Sequence, residues 1–287
     1  MKHKLWLVFA LITTVFWGVW GAFIEIPEKA GFPATMGYVI WALTMIIPAI
    51  VALKIINWKL ETNKRAILYG SLIGFLGASG QLILFQALRS GPAYLVFPFV
   101  SLSPLVTILL SLWLLKEKAS SKAWTGIVIA LVAIPLLSYQ PPGNSQKFGF
   151  LWIFLALAVF LVWGIQAYFM KVANNHMKAE SIFFYMMITG LILIPVALFM
   201  TDFRQQINWG LKGPYLAAGI QILNSIGALF LVYAFRYGRA IIVSPLTNAG
   251  APVITIVLSL LIYGVFPHSI ILVGMLLAIT AIFLLAD

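Results

Sequence analysis

Apolar residues in this chain run in blocks of about 20, with the polar residues gathered in short gaps between them. Coiled as helix, a run of that length crosses the hydrocarbon layer of a bilayer. None of the blocks alternates strictly between apolar and polar, so helices are predicted rather than the strands of a barrel. The pattern predicts ten spans, near 5–26, 34–55, 66–88, 92–115, 123–139, 149–170, 181–201, 213–235, 240–263 and 269–286. The fifth is the shortest. The first follows Met1-Lys-His-Lys, as the core of a secretory leader would. Its apolar run is too long for a leader and its Trp17-Gly18 returns as Trp163-Gly164 in span six, so it is expected to be retained.

The chain also repeats itself at an offset of about 147 residues. Ala87, Arg89, Gly91, Ala93, Val96 and Pro98 recur as Ala234, Arg236, Gly238, Ala240, Val243 and Pro245. After a slip of one residue, Pro104 to Leu112 recurs as Pro252 to Leu260. Tyr38 and Pro48 return as Tyr185 and Pro195, and Gly126, Ala130 and Ala133 as Gly274, Ala278 and Ala281. Every span pair is covered. Five spans per copy place the second copy upside down in the bilayer, which builds two-sided access into the symmetry, as in many transporters. The expected organisation is a first repeat over 1–140 and an inverted second over 141–287, joined at Pro141-Pro142-Gly143-Asn144.

Composition sharpens the picture. Residues are 63% hydrophobic and 9% charged, with a mean hydropathy of +1.06, too few charges to cover a water-soluble domain of 287 residues. The fold class is therefore an all-α integral membrane protein. The net charge of +11 sits in loops, and 13 of the 18 Lys and Arg fall on the side that holds both termini. That side carries Lys2, Lys4, Lys54, Lys59, Lys64, Arg65, Lys116, Lys118, Lys122, Lys171, Lys178, Arg236 and Arg239; the other has Lys29, Arg89, Lys147, Arg204 and Lys212. Such asymmetry reflects membrane topology rather than nucleic-acid binding, and it puts both termini in the cytoplasm. The minimal loops and the missing glycosylation sequon fit a bacterial inner membrane. There is no cysteine for disulfides or thiolate metal sites, and no phosphate-cradling glycine loop for ATP hydrolysis. No cofactor or metal is expected.

Polar residues inside spans are costly and mark candidate pathways. Gly70, Gly74, Gly77 and Gln81 share one face of span three, and the repeat maps that face to Ala217, Gln221, Asn224 and Ala228 of span eight. The glycines suit a helix-packing seam. For Gln81, Gln221 and Asn224, cavity lining and interhelical bonding both stay open. Prolines 98 and 104 in span four, and 245 and 252 in span nine, predict interrupted helices that expose Ser101, Ser103, Thr247 and Asn248, the best sequence pointer to a binding site. Trp17, Trp20, Trp163 and Gln166 lie in spans one and six, Trp17 and Trp163 too deep for interfacial anchoring, where an indole could stack on a flat solute or contact a cation. Glu25 ends span one beside Pro27, Glu28 and Lys29, which favours a water-facing carboxylate over a proton relay. His3, His176 and His268 converge with nothing, and the arginines at 89, 236 and 239 suit turn anchors.

Ten spans, an inverted repeat and the phrase Ala87-Leu-Arg-Ser-Gly-Pro-Ala93 together resemble the drug/metabolite transporter superfamily, in particular its EamA-type members. Phe16-Trp-Gly-Val-Trp-Gly21 resembles the opening helix of such carriers. The resemblance implies a substrate pathway between the halves, lined mainly by spans one, three, four, six, eight and nine. The expected substrate-binding set is Trp17, Trp20, Gln81, Ser101, Trp163, Gln166, Gln221, Asn224 and Asn248. With no buried fixed charge it suits a neutral, zwitterionic or amphipathic metabolite, an amino acid or sugar, in a non-enzymatic carrier for which a monomer suffices and an oligomer stays open. A proton-coupled exporter of cationic drugs acting through Glu25 is the alternative. A membrane-embedded lipid-modifying enzyme is a remote third, since it needs converging acid–base or nucleophilic groups.

Overall fold

A computed structural model describes residues 4–91, 93–139, 149–264 and 266–286. The Pro141–Asn144 joint, Lys2, His3 and Lys147 lie outside the described residues, as does the side chain of Pro98. Every regular element among the described residues is helical, and ten helical segments match the ten predicted spans. We number them α1 (Leu5–Phe23, extended by Glu25–Lys29), α2 (Ala34–Thr44 and Ile46–Ile55), α3 (Lys64–Ser90), α4 (Ala93–Ser101 and Pro104–Leu114) and α5 (Ser121–Leu137). The second set is α6 (Leu151–Asn174), α7 (Ala179–Ile192 and Ile194–Phe199), α8 (Leu211–Tyr215, a π-turn, then Leu216–Tyr237), α9 (Ala240–Tyr263) and α10 (Ser269–Leu285). Seven spans are long and apolar enough to cross a membrane; three apolar segments, in α4, α5 and α10, are shorter.

Local chemistry sets several of the ends. The Asn63 and Ser120 side chains accept the backbone N–H of Ala66 and Ala123 at 3.0 and 3.1 Å, capping α3 and α5. Gly264, at φ +64°, closes α9 in the left-handed conformation that glycine adopts without strain. Prolines break three helices. The chain steps at Met45 before Pro48, at Leu193 before Pro195 and at Leu102–Ser103 before Pro104. The expected break of span nine does not occur: α9 runs unbroken through Pro245 and Pro252. Between its prolines, Thr247 Oγ1 donates to the Val243 carbonyl at 3.0 Å and Asn248 Nδ2 to the Ser244 carbonyl at 2.9 Å. These side-chain donors reinforce the turn where the prolines weaken the backbone ladder.

The two repeats interlock as a two-fold pair, and the relation holds at the level of single atoms. Thr255 Oγ1 donates to the Gly18 carbonyl at 2.9 Å, and its repeat mate Thr107 Oγ1 to the Gly164 carbonyl at 3.0 Å. Gly126 of α5 faces Leu284 and Leu285 of α10, while Gly274 of α10 faces Leu136 and Leu137 of α5. Packing divides the rest into two bundles, each mixing both repeats. One holds α1, α2, α8 and α9 and the other α3, α4, α6 and α7, with α2 and α7 also packed on each other across the divide. The α5–α10 pair packs beside α4 and α9. Small residues bring the backbones close, as membrane helices without a hydrophobic drive between them require. Gly70 and Gly74 sit against Tyr185, Met186 and Thr189 of α7, and Gly80 against Trp163 of α6.

Candidate functional site

A cavity of about 300 Å³ lies between the two bundles. Trp17 and Trp20 of α1, Gln81 of α3, Trp163 and Gln166 of α6, Asn224 of α8 and Asn248 of α9 all line it. The fold positions the deep indoles symmetrically. Trp17 rests on Gly227 and donates its Nε1 proton to the Asn224 carbonyl at 3.3 Å. Trp163 rests on Gly80 and donates to the Gly77 carbonyl, also at 3.3 Å. Trp20 Nε1 donates to Gln221 Oε1 at 3.0 Å. With these N–H groups engaged, the three indoles offer the cavity ring faces and edges rather than donors.

Amides supply the polar part of the wall. Asn248 uses its Nδ2 within its own helix and keeps its carbonyl oxygen available. The side chains of Gln81, Gln166 and Asn224 hold no protein hydrogen bond among the described residues, leaving donors and acceptors for a solute. Ser103, Ser244 and Thr247 contribute hydroxyls. Among the described residues, the lining includes no Asp, Glu, Lys, Arg or His.

Two members of the expected set sit elsewhere. Gln221 is 5% exposed and stands behind the wall, bridging Trp20 to the Gly37 carbonyl through Nε2 at 3.2 Å. It braces an indole and ties α8 to α2. Ser101 lies between α4 and α5, donating to the Phe97 carbonyl at 2.6 Å and sharing a hydrogen bond with Ser138 at 2.9 Å. A serine in a helix can back-bond to the carbonyl one turn earlier, and here that bond and the one to Ser138 hold it between α4 and α5, away from the cavity. The sequence reading missed Trp41 and a set of methionines, Met45, Met170 and Met186, all in the wall. Trp41 carried the same signal as Trp17, a tryptophan in mid-span. The methionines carried none, because their role depends on packing.

Remaining charges lie away from the cavity. Glu25 is 66% exposed and pairs with Lys29 at 2.5 Å. His176 stacks on Tyr69, and His268 accepts the Ile270 N–H at the start of α10. Arg89, Arg236 and Arg239 donate to the carbonyls of Met200, Met177 and Lys118, each at a helix end or turn.

The cavity is sealed toward the face that bears most of the basic residues. There α6 packs on α8, with Met170, Ala173, Val232 and Phe235 at most 1% exposed. No comparable packing joins α1 to α3, the repeat mates of that pair, among the described residues.

Comparison with known proteins agrees with this architecture. Residues 4–139 and 150–286 each match the EamA-like transporter family. Uncharacterized protein MJ1333.1 of Methanocaldococcus jannaschii is 31% identical over 132 residues, 46% of this chain but 95% of the relative, which is thus about one repeat long. Protein LicB of Haemophilus influenzae is 24% identical over 79% of this chain and 87% of its own. A protein of known crystal structure superposes over 96% of both chains with a TM-score of 0.74 at 17% identity, a likeness of fold. Matched along both repeats, the chain belongs to the EamA-like transporter family, within the drug/metabolite transporter superfamily.

Proposed function

We propose that this transporter carries a small neutral, zwitterionic or amphipathic metabolite, of the amino-acid or sugar class, across the cytoplasmic membrane by alternating access. The observation that carries the reading is the cavity between the bundles, walled by indoles, amides and hydroxyls with no ionised lining residue among those described. Such a wall can stack on an apolar or flat part of a solute and hydrogen-bond its polar part. An obligately multivalent anion would call for Lys or Arg in the wall. The basic face is the cytoplasmic one by the positive-inside rule, with both termini there. Tight packing of α6 on α8, without its counterpart between α1 and α3, fits a carrier caught with its cytoplasmic end closed.

Export of cationic drugs through Glu25 finds less support, since that carboxylate is exposed and salt-bridged outside the cavity. An enzyme would need acid–base or nucleophilic groups converging on the cavity, and indoles, amides and hydroxyls without a base are poor material for either.

The test is thermal stability of detergent-purified protein against amino acids, sugars, nucleosides and lipophilic cations. A ligand at 100 times its Kd adds about 2.7 kcal/mol to the folded state. A saturable shift from a neutral or zwitterionic class, lost in Trp163→Ala or Asn248→Ala, is the expected result. A shift from lipophilic cations alone would transfer the assignment to the exporter. No shift, with no flux in liposomes, would end the proposal.

A further inference from the structure

The two ends of the pathway are unlike, although the repeat makes their backbones equivalent. At the basic face, seven side chains take part in bonds from one bundle to the other. Lys171 Nζ of α6 donates to the Phe235 and Gly238 carbonyls at the end of α8, at 3.0 and 2.6 Å. Asn174 Nδ2 donates to the Val232 carbonyl at 3.0 Å, and Arg236 to the Met177 carbonyl at 3.1 Å. Tyr233 donates to Glu180 at 2.7 Å. The Glu117 carboxylate, just past α4, accepts the Ala240 and Ile241 N–H groups at the start of α9, both at 3.1 Å. Arg239 completes the set on the Lys118 carbonyl. Each ion is of the sign its helix end attracts: a cation at the carbonyl end of α8 and an anion at the amide end of α9.

The repeat offset identifies what stands at the mirrored positions of the opposite end. Glu25 takes the place of Lys171, and Glu28 that of Asn174. Ionised carboxylates only accept, so neither can bond the terminal carbonyls of α3 as a lysine and an asparagine would. Arg89 takes the place of Arg236 but bonds within its own bundle, to the Met200 carbonyl of α7. In sequence, Val265 replaces Glu117.

We propose that Lys171 and Glu117 form a charged latch that locks the basic end of the pathway, so that the empty carrier rests with the opposite end as the one that opens. The proposal rests on the alternating-access reading above. A backbone free to exchange its two ends is biased toward closure at the basic end, where charged side chains bond helix termini across the bundles. At the opposite end Arg89 bonds within its own bundle and the neutral Thr35–Thr201 pair joins α2 to the end of α7. Opening the basic end requires both charges to leave their helix termini, and in that state the bonds to Phe235, Gly238, Ala240 and Ile241 are all lost.

The chain has no cysteine, so spin-label pairs can be introduced directly. One pair, Asn175→Cys with Tyr237→Cys, spans α6 and α8 at the basic face; a second, Ala30→Cys with Ser90→Cys, spans the opposite face. Pulsed dipolar distances are read in purified protein without ligand. In Lys171→Met with Glu117→Gln, the ratio of long to short distances at the basic pair should rise about tenfold or more, as expected for losing charge-assisted hydrogen bonds. Lys171→Arg with Glu117 intact should match the parent. An unchanged basic-pair distribution in the double variant, at parent helicity and in a monodisperse peak, overturns the latch. Should that variant not fold, Glu25→Lys is read instead. It puts a donor at the mirrored position, and the opposite pair must then shorten or the proposal fails. Since no solute is added, a wrong substrate class would leave these distances unaffected.

Discussion

Single residues show how closely the helices are fitted together. A Cβ on Gly164 would lie 2.6 Å from the Ser103 carbonyl oxygen and collide with Val106. A backbone oxygen cannot swing aside as a side chain can. Gly164→Ala should therefore destabilise the protein by about 1–3 kcal/mol in thermal unfolding in detergent. Gly219→Ala is the matched comparison: nothing lies within 4 Å of its added carbon, and the helix should gain roughly 0.5–1 kcal/mol. Much of the cavity wall was legible at this scale, because an amide or indole in mid-span is conspicuous in an apolar sequence. Trp17, Trp163, Gln166 and Asn224 stand out that way. Gln221 stands out just as much, yet it braces Trp20 from behind. Nothing in the sequence separates a wall residue from its support, because the two differ only in which neighbour comes within hydrogen-bond reach.

At the scale of elements, spans were legible and their interiors less so. Length and hydropathy placed all ten helices, since a helix that must bury its own backbone polar groups in lipid has few alternatives. Paired prolines in matching places predicted matching breaks, and only one of those two helices breaks. In α4 the chain steps at Leu102–Ser103 and restarts with Pro104 in its first turn. In α9, Thr247 and Asn248 sit between the prolines and bond back to the preceding turn. Proline removes a bond; whether the helix breaks depends on who supplies another. Thr247→Val should therefore loosen α9, raising amide hydrogen exchange around 243–251 while leaving α6 and α10 protected. Equal exchange in the variant and the parent would mean that packing against α1 and α5 alone keeps α9 straight.

For the molecule as a whole, the asymmetry of charge predicts orientation. Single cysteines at Lys118 or Asn175 should react with an impermeant maleimide in inverted vesicles and be protected in intact cells, with Arg204→Cys behaving oppositely. The reverse pattern would turn the carrier over and exchange the meaning of the two ends. The inverted pair itself was legible from the repeat, because five spans reverse a copy whatever its residues are. Bundle composition was not. That α1 packs on α8 and α3 on α6 is a matter of which faces meet, and no offset in a sequence states it.

Membrane residence, the number of crossings and the inverted relation of the halves can all be read along the chain. Those properties follow from the cost of unpaired backbone groups and charges in lipid, which acts on each segment separately. Which polar side chains share a cavity, which proline breaks its helix and which end of the pathway is closed become visible once the helices are packed. The cavity and the closed end depend on partners more than 50 residues away in the chain, such as Lys171 on Phe235, Trp163 on Gly77 and Glu117 on Ala240. The straight course of α9 also draws on bonds to its own preceding turn. Hydrogen bonds act over about 3 Å, so no regularity along the chain can stand in for the folding that brings such groups together.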